Sequence, residues 1–157
     1  MLDLTVCITT YYKTDYNKFV NQVKSLFDKR FTPQITDIIQ PEINLYPFKP
    51  IELIFVIDTY KLQDKYIPKQ YRETYNENIN KIIEYIQSLK IYNTKIKLYQ
   101  TKYNSGVSLS RNIGIKNSES KFICFCDDDD LHINVNETLK IINKYNNYKC
   151  INCYMSK

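Results

Sequence analysis

Apolar residues along this chain recur with two different periods. Leu4 to Thr10 is a short, nearly continuous apolar run rich in Thr, Val and Ile, the pattern of a strand buried on both faces. From Asp15 onward, Phe19, Val20, Val23, Leu26 and Phe27 recur at helical spacing behind Thr14 or Asp15 as a cap, which predicts an amphipathic helix. Thr32 to Pro50 carries Pro33, Pro41, Pro47 and Pro50 and reads as a long connection, with room for a short helical turn at Ile35 to Ile39. Ile51 to Ile57 is a second buried strand that ends on Asp58. After a polar stretch, Tyr75, Ile79, Ile82, Ile83, Ile86 and Leu89 mark a second long helix. Ile96 to Tyr99 alternates apolar with polar residues, as a strand nearer a sheet edge does. Gly106 to Ile115 reads as a turn and short helix, and Lys121 to Cys126 as a fourth strand. Asn136 to Tyr145 is a helix with Leu139 and Ile142 inward, and Cys150 to Tyr154 is a candidate fifth strand.

Strands alternating with helices predict an α/β fold, a mainly parallel sheet flanked by helices. In such sheets ligands bind beyond the carboxyl ends of the strands, which here are Thr10-Tyr11, Asp58 and Asp127 to Asp130. A chain of 157 residues with 43% hydrophobic content can bury one sizeable core, so residues 1–157 are expected to form a single domain. No run approaches the roughly 18 to 20 apolar residues of a membrane span, and Leu4 to Thr10 lacks the basic flank and length of a signal peptide. A soluble, cytoplasmic protein is the expectation.

The net charge of +5 comes from dispersed lysines, with Arg30, Arg72 and Arg111 as the arginines. No compact basic block marks a nucleic-acid groove, and a mild attraction to anionic ligands is what this distribution supports. The five cysteines are an odd number, and Cys7, Cys124 and Cys126 sit in apolar runs as buried thiols would, which fits a reducing compartment. Cys150 and Cys153 form a C-x-x-C, but both cysteine pairs fall on apparent strands rather than the turns that hold structural zinc.

Four aspartates, Asp127 to Asp130, directly follow the apolar strand Phe122 to Cys126. Two carboxylates about 5 Å apart repel by about 3 kcal/mol at an effective dielectric of about 20, so something must offset them. Mg2+ or Mn2+ does so with oxygen ligands, taking one or two carboxylates together with phosphate oxygens and waters. If the chain stays extended, Asp127 and Asp129 point the same way and form a D-x-D clamp. A solvated acidic loop, or a helix start favoured by negative charge, accounts for the same run without a ligand.

The chain has two glycines, Gly106 and Gly114, and both fall in Asn104 to Gly114, which suggests that each is sterically required. Arg111 in that stretch is a candidate cation for a diphosphate or a partner for an aspartate, against the plainer reading of a surface charge. Asp58 can accept a hydrogen bond from a base N–H or a ribose hydroxyl, and Tyr11 can cover a base face. A capping aspartate and a rim tyrosine are the plainer readings. His132, the one histidine, is a metal or phosphate contact or a simple loop residue.

Together these segments resemble the donor half of family 2 inverting glycosyltransferases of the GT-A fold. Val6-Cys7-Ile8-Thr9-Thr10-Tyr11-Tyr12 is similar to that family's opening strand and P-T-Y-N turn, with Thr9 in place of the proline. Glu52 to Asp58 resembles its strand ending in D-D-G-S, with Ile57 replacing the first aspartate and Thr59-Tyr60 replacing Gly-Ser. Asn104 to Gly114 matches N-x-G-x-S-x-A-R-N-x-G with Ser110 replacing alanine, and Phe122 to Asp130 matches F-L-D-x-D-D.

The resemblance implies a Rossmann-like, nucleotide-sugar-binding domain whose donor is a nucleotide-diphospho-sugar, usually UDP-linked. It puts Thr9, Thr10, Tyr11 and Asp58 near base and ribose, and Asp127 and Asp128 toward ribose or sugar. Asp129, with Asp127, becomes the ligand of Mn2+ or Mg2+, and Arg111 helps hold the assembly. The acceptor is a glycan, lipid or protein. Family members continue past the D-x-D into an acceptor-binding half with the catalytic base. No candidate base stands out in the last 25 or so residues here, Glu137 reading as a surface residue of a helix. A donor-binding module that is inactive in transfer without a partner or missing segment is therefore the alternative expectation. A nucleotidyltransferase of related architecture lacks support, because no Gly- and Lys-rich phosphate loop follows the first strand.

Overall fold

Strands and helices alternate along the chain in the computed structural model, which describes residues 2–11, 13–31, 49–58, 67–103, 105–127, 134–145 and 147. The strands are β1 (Leu2–Thr10), β2 (Ile51–Ile57), β3 (Thr94–Gln100) and β4 (Ser120–Asp127). The helices are α1 (Tyr16–Phe31), α2 (Lys69–Ser88), α3 (Val107–Asn117) and α4 (Val135–Lys144). All described pairings are parallel, in the order β3-β2-β1-β4. The unbroken apolar runs of β1 and β2 hold the centre, where both faces are covered. β3, alternating Lys95 and Lys97 with Ile96 and Leu98, lies at an edge as its pattern requires.

Side-chain alternation divides the sheet into two unequal cores. Leu4, Val6 and Ile8 of β1 and Leu53, Phe55 and Ile57 of β2 pack against Phe19, Val23 and Phe27 of α1, Ile79, Ile82 and Ile86 of α2, and Leu139 and Ile142 of α4. Cys7, Ile54 and Val56 point the other way, into a smaller cluster with Tyr99, Ile113, Ile123 and Phe125. There α3 is the covering helix, and Gly114 sets its distance, because a Cβ built at Gly114 would stand 2.4 Å from Cys7 Sγ. Burial pushes the Cys7 thiol up to about 12, partly offset by the nearby Arg111 charge.

The same face carries a buried polar network at the amino ends of the strands. Glu52 is fully buried; its Oε2 accepts from the Thr5 hydroxyl at 2.8 Å and the Glu119 amide at 3.0 Å, and Lys97 Nζ lies 2.5 Å from Oε1. Lys97 also reaches the Asn117 carbonyl and the Glu119 carboxylate, which Lys95 shares. The two lysines hold the exposed Glu119 carboxyl down at about 2. This network ties β1, β2 and β3 to the turn between α3 and β4.

Some boundaries differ from the sequence reading. β1 begins at Leu2, and β4 runs through Asp127, so the first aspartate of the acidic run belongs to the strand. α2 starts at Lys69 rather than near Tyr75: Tyr71, half-buried, already packs on the core one turn earlier, among the polar Lys69, Gln70, Arg72, Glu73 and Thr74. Its start is marked instead by Pro68, which occupies the N-cap position. Arg30, on the predicted amphipathic helix, turns inward and is fully buried. It donates to the carbonyls of Lys49 and Tyr92 and to Asn136 Oδ1, and burial brings its pKa down to about 10. The proposed turn at Ile35 to Ile39 and the strand at Cys150 to Tyr154, with Cys150 and Cys153, lie outside the described residues.

Gly114→Ala is expected to lower stability by about 1–3 kcal/mol, because neither Cys7 on a central strand nor the α3 backbone has room to yield; urea unfolding measures it. Glu119, held low in the folded state, contributes stability above its ordinary value of 4.5, and that contribution is lost as pH falls from there toward about 2. Glu119→Gln should flatten the acid limb of the melting-temperature profile over that window.

Candidate functional site

The carboxyl ends of the strands gather the site. After β1 the chain turns at once: the Tyr11 amide donates to Thr14 Oγ1 at 2.9 Å, and the Thr14 amide returns to the Tyr11 carbonyl at 3.0 Å. This closed turn holds Tyr11 at the rim, 39% exposed. Asp15 then caps α1 by accepting from the Lys18 amide at 2.9 Å.

Asp58, the residue after β2, is buried and fully engaged. Its Oδ1 accepts from the Ser105 amide at 2.8 Å and the Thr101 hydroxyl at 2.9 Å, and its Oδ2 accepts from the Gly106 amide at 2.8 Å. The amides lie at the start of α3, where N–H groups lack helical partners and negative charge is favoured. Gly106 adopts φ 82°, a backbone state that strains any residue with a Cβ, which explains why a glycine stands there.

β4 places Asp127 beside Thr9, its register partner on β1, and the Thr9 hydroxyl donates to Asp127 Oδ1 at 3.3 Å. From α3, Arg111 Nη2 lies 3.0 and 3.1 Å from the two Asp127 oxygens while its guanidinium stands over the Phe125 ring at 5.7 Å. From the opposite face, Gln22 of α1 donates its side-chain amide to the Asp127 main-chain carbonyl. Asp127 is thus fixed at both its backbone and its carboxylate. Arg111 is thus paired with Asp127, and Asp58 accepts from the amides at the start of α3.

Thr9, Thr10, Tyr11, Asp58, Val107, Ser110, Arg111 and Asp127 line one cavity of about 320 Å3. Six of the sequence-predicted residues therefore meet in one place. Asp128 and Asp129, together with Asp130, His132, Tyr12 and Asn104, lie outside the described residues. Sequence reasoning missed Gln22, which sits on a helix with no pattern linking it to β4, and Thr101, whose role depends on β3 ending level with β2. The cavity opens where strand order reverses, between β1 and β4, the crevice in which open parallel sheets bind nucleotides. Among the described residues no three His, Cys, Asp or Glu side chains converge as a complete metal site. The Asp127 side chain, 37% exposed, offers hard oxygen donors of the kind Mg2+ and Mn2+ take alongside phosphate oxygens.

The parallel sheet flanked by helices is that of an α/β protein of the GT-A, Rossmann-like class. Residues 5–151 match the model of the family described as Glycosyl transferase family 2, and the chain belongs to that family of transferases. A stretch of 98 residues, 62% of this chain, is 34% identical to the minor teichoic acid biosynthesis protein GgaB of Bacillus subtilis (strain 168), of which it spans 9%. The crystal structure of S. aureus TarS 1-349 superposes with a TM-score of 0.48 at 23% identity, covering 93% of this chain and 32% of that one.

Asp58→Ala strips three donors of their acceptor and is expected to cost about 2–3 kcal/mol in urea unfolding, with faster amide exchange at Ser105 and Gly106. Unchanged exchange there would show that Asp58 does not hold the start of α3.

Proposed function

We propose that residues 1–157 form the donor-binding unit of a glycosyltransferase that takes a nucleotide-diphospho-sugar, UDP-linked, with a divalent cation. The observation that carries this reading is the convergence of Thr9, Thr10, Tyr11, Asp58, Arg111 and Asp127 on one cavity at the strand-order reversal, in a chain of glycosyl transferase family 2. The nucleoside enters at the Tyr11 and Asp58 side, where the tyrosine ring covers the base. The diphosphate and sugar extend toward Asp127, with Asp128 and Asp129 continuing the acidic run. A Mn2+ or Mg2+ ion held by Asp127 and Asp129 would neutralise charge on the departing diphosphate.

Arg111 serves the same end from the other side. Pairing with Asp127 keeps both groups ordered before the donor arrives, and the guanidinium stands within reach of phosphate oxygens on the same cavity wall. Preorganised charge of this kind stabilises a leaving group without reorganising at the moment of reaction. A cytoplasmic setting goes with this reading, one in which Cys7, Cys124 and Cys126 remain thiols.

One observation favours a second reading, in which this unit binds the donor but transfers its sugar only with a further segment or partner. Both described carboxylates that line the cavity are engaged, Asp58 by three donors and Asp127 by Thr9 and Arg111, so neither is poised as a base for an acceptor hydroxyl. The acceptor, whether glycan, lipid or protein, would then meet its base on that other component. UDP-sugar hydrolysis or transfer by this chain alone would reject the second reading.

Calorimetric titration with UDP and UDP-sugars should give binding that strengthens at least tenfold with Mn2+, and Asp129→Ala should abolish the metal effect while retaining weaker nucleotide binding. Metal-independent binding, or a metal effect untouched by Asp129→Ala, overturns the metal-dependent donor site.

A further inference from the structure

Two hydroxyl oxygens among the described residues lining the cavity are buried and have no hydrogen-bond partner, Thr10 Oγ1 and Ser110 Oγ. They are not equivalent. Thr10 shares the strand parity of Leu4, Val6 and Ile8, whose side chains pack toward α1 and α2. Ser110 belongs to α3, on the face that also carries Thr9, Arg111 and Asp127. It follows Val107 by one helical turn and immediately precedes the arginine that holds Asp127.

The environment of Ser110 is unusual for a helical serine. Its residue surface is fully buried, and a serine hydroxyl in a helix ordinarily bonds back to a carbonyl three or four residues earlier. Here the Gly106 carbonyl takes the Ser110 amide at 3.2 Å, and the buried hydroxyl of this cavity-lining residue is left without a partner. Alanine would give the helix the same backbone, a better propensity and no polar atom to satisfy. A buried hydroxyl kept at a net cost to the empty protein is explained when a ligand supplies its hydrogen bond.

We propose that Ser110 is a specificity-determining residue of the site, its hydroxyl hydrogen-bonding a polar atom of the nucleoside in the cavity; this rests on the reading of the cavity as a nucleotide-sugar donor site. A hydroxyl both donates and accepts, so it matches a ribose hydroxyl or a base-edge carbonyl or N–H. Sites that hydrogen-bond a ligand hydroxyl discriminate strongly against the analogue lacking it, because the buried group then loses its partner.

The test compares wild type with Ser110→Ala in titrations with UDP and with 2′-deoxy-UDP, in Mn2+ buffer, alongside melting of both ligand-free proteins. Ser110→Ala should bind UDP about tenfold more weakly while melting, without ligand, at the same or a higher temperature than wild type. That opposition of effects is one a merely structural serine does not produce. If the partner is the ribose 2′-hydroxyl, the penalty vanishes with 2′-deoxy-UDP. If it is another polar atom of the nucleoside, the penalty persists, and either result supports the proposal. Equal UDP affinity of the two proteins overturns the role of Ser110 while leaving the donor site intact, as does a drop in ligand-free stability that accounts for the weaker binding. A wild-type protein that binds neither nucleotide removes the donor reading itself, and the role of Ser110 with it.

Discussion

The carboxylate of Asp58 is the constraint on which the rest of the site depends. A strand end, a neighbouring strand and a helix start all reach it: the Ser105 and Gly106 amides and the Thr101 hydroxyl converge on two oxygens of one buried group. A charged acceptor is suited to this position, because amides at a helix start carry partial positive charge and have no partner within the helix. Once those amides are fixed, the direction of α3 follows, and with it the placement of Val107, Ser110 and Arg111 on the cavity wall. The one positive φ at a glycine falls at Gly106, where the chain must turn sharply to present two successive amides to one carboxylate.

The far end of α3 is fixed by different chemistry. Gly114 lets the helix approach β1 closely enough to touch Cys7, and the turn beyond it delivers the Glu119 amide to the buried Glu52 carboxylate. Glu52 is tolerated in the interior because Lys97 and hydrogen bonds from Thr5 and Glu119 meet both of its oxygens. A helix anchored at both ends by carboxylates, over a small apolar core, has little freedom to slide along the sheet. Arg111 therefore reaches Asp127 from a fixed platform. Gln22, gripping the Asp127 carbonyl from the other side of the sheet, fixes the point from which the acidic run departs.

Much of this was legible in the residues, for reasons that differ by element. β1 and β2 announced themselves because a central parallel strand is apolar on both faces, and β3 because an edge strand alternates. The start of α2 was hidden, since Tyr71 is a single inward residue among polar neighbours there and the N-cap is Pro68 rather than a side-chain cap. The inward turn of Arg30 was hidden too. An arginine on an amphipathic helix reads as surface, and two of its acceptors are the main-chain carbonyls of Lys49 and Tyr92, which no side-chain pattern reveals.

The sequence by itself determined which elements form, the parallel character of the sheet, and which residues stand at the strand ends, because period, capping and turn chemistry are local properties of the chain. It also marked Gly106 and Gly114 as required, for in a chain so poor in glycine each is informative. Tertiary structure alone decided how those ends are used. Asp58 became the anchor of a helix, Asp127 joined its strand and took Arg111 as partner, and Ser110, a cavity-lining residue, was left with a buried, unpartnered hydroxyl. Those outcomes depend on distances between segments far apart in the chain, and such distances are set only when the two cores pack and the strands come level.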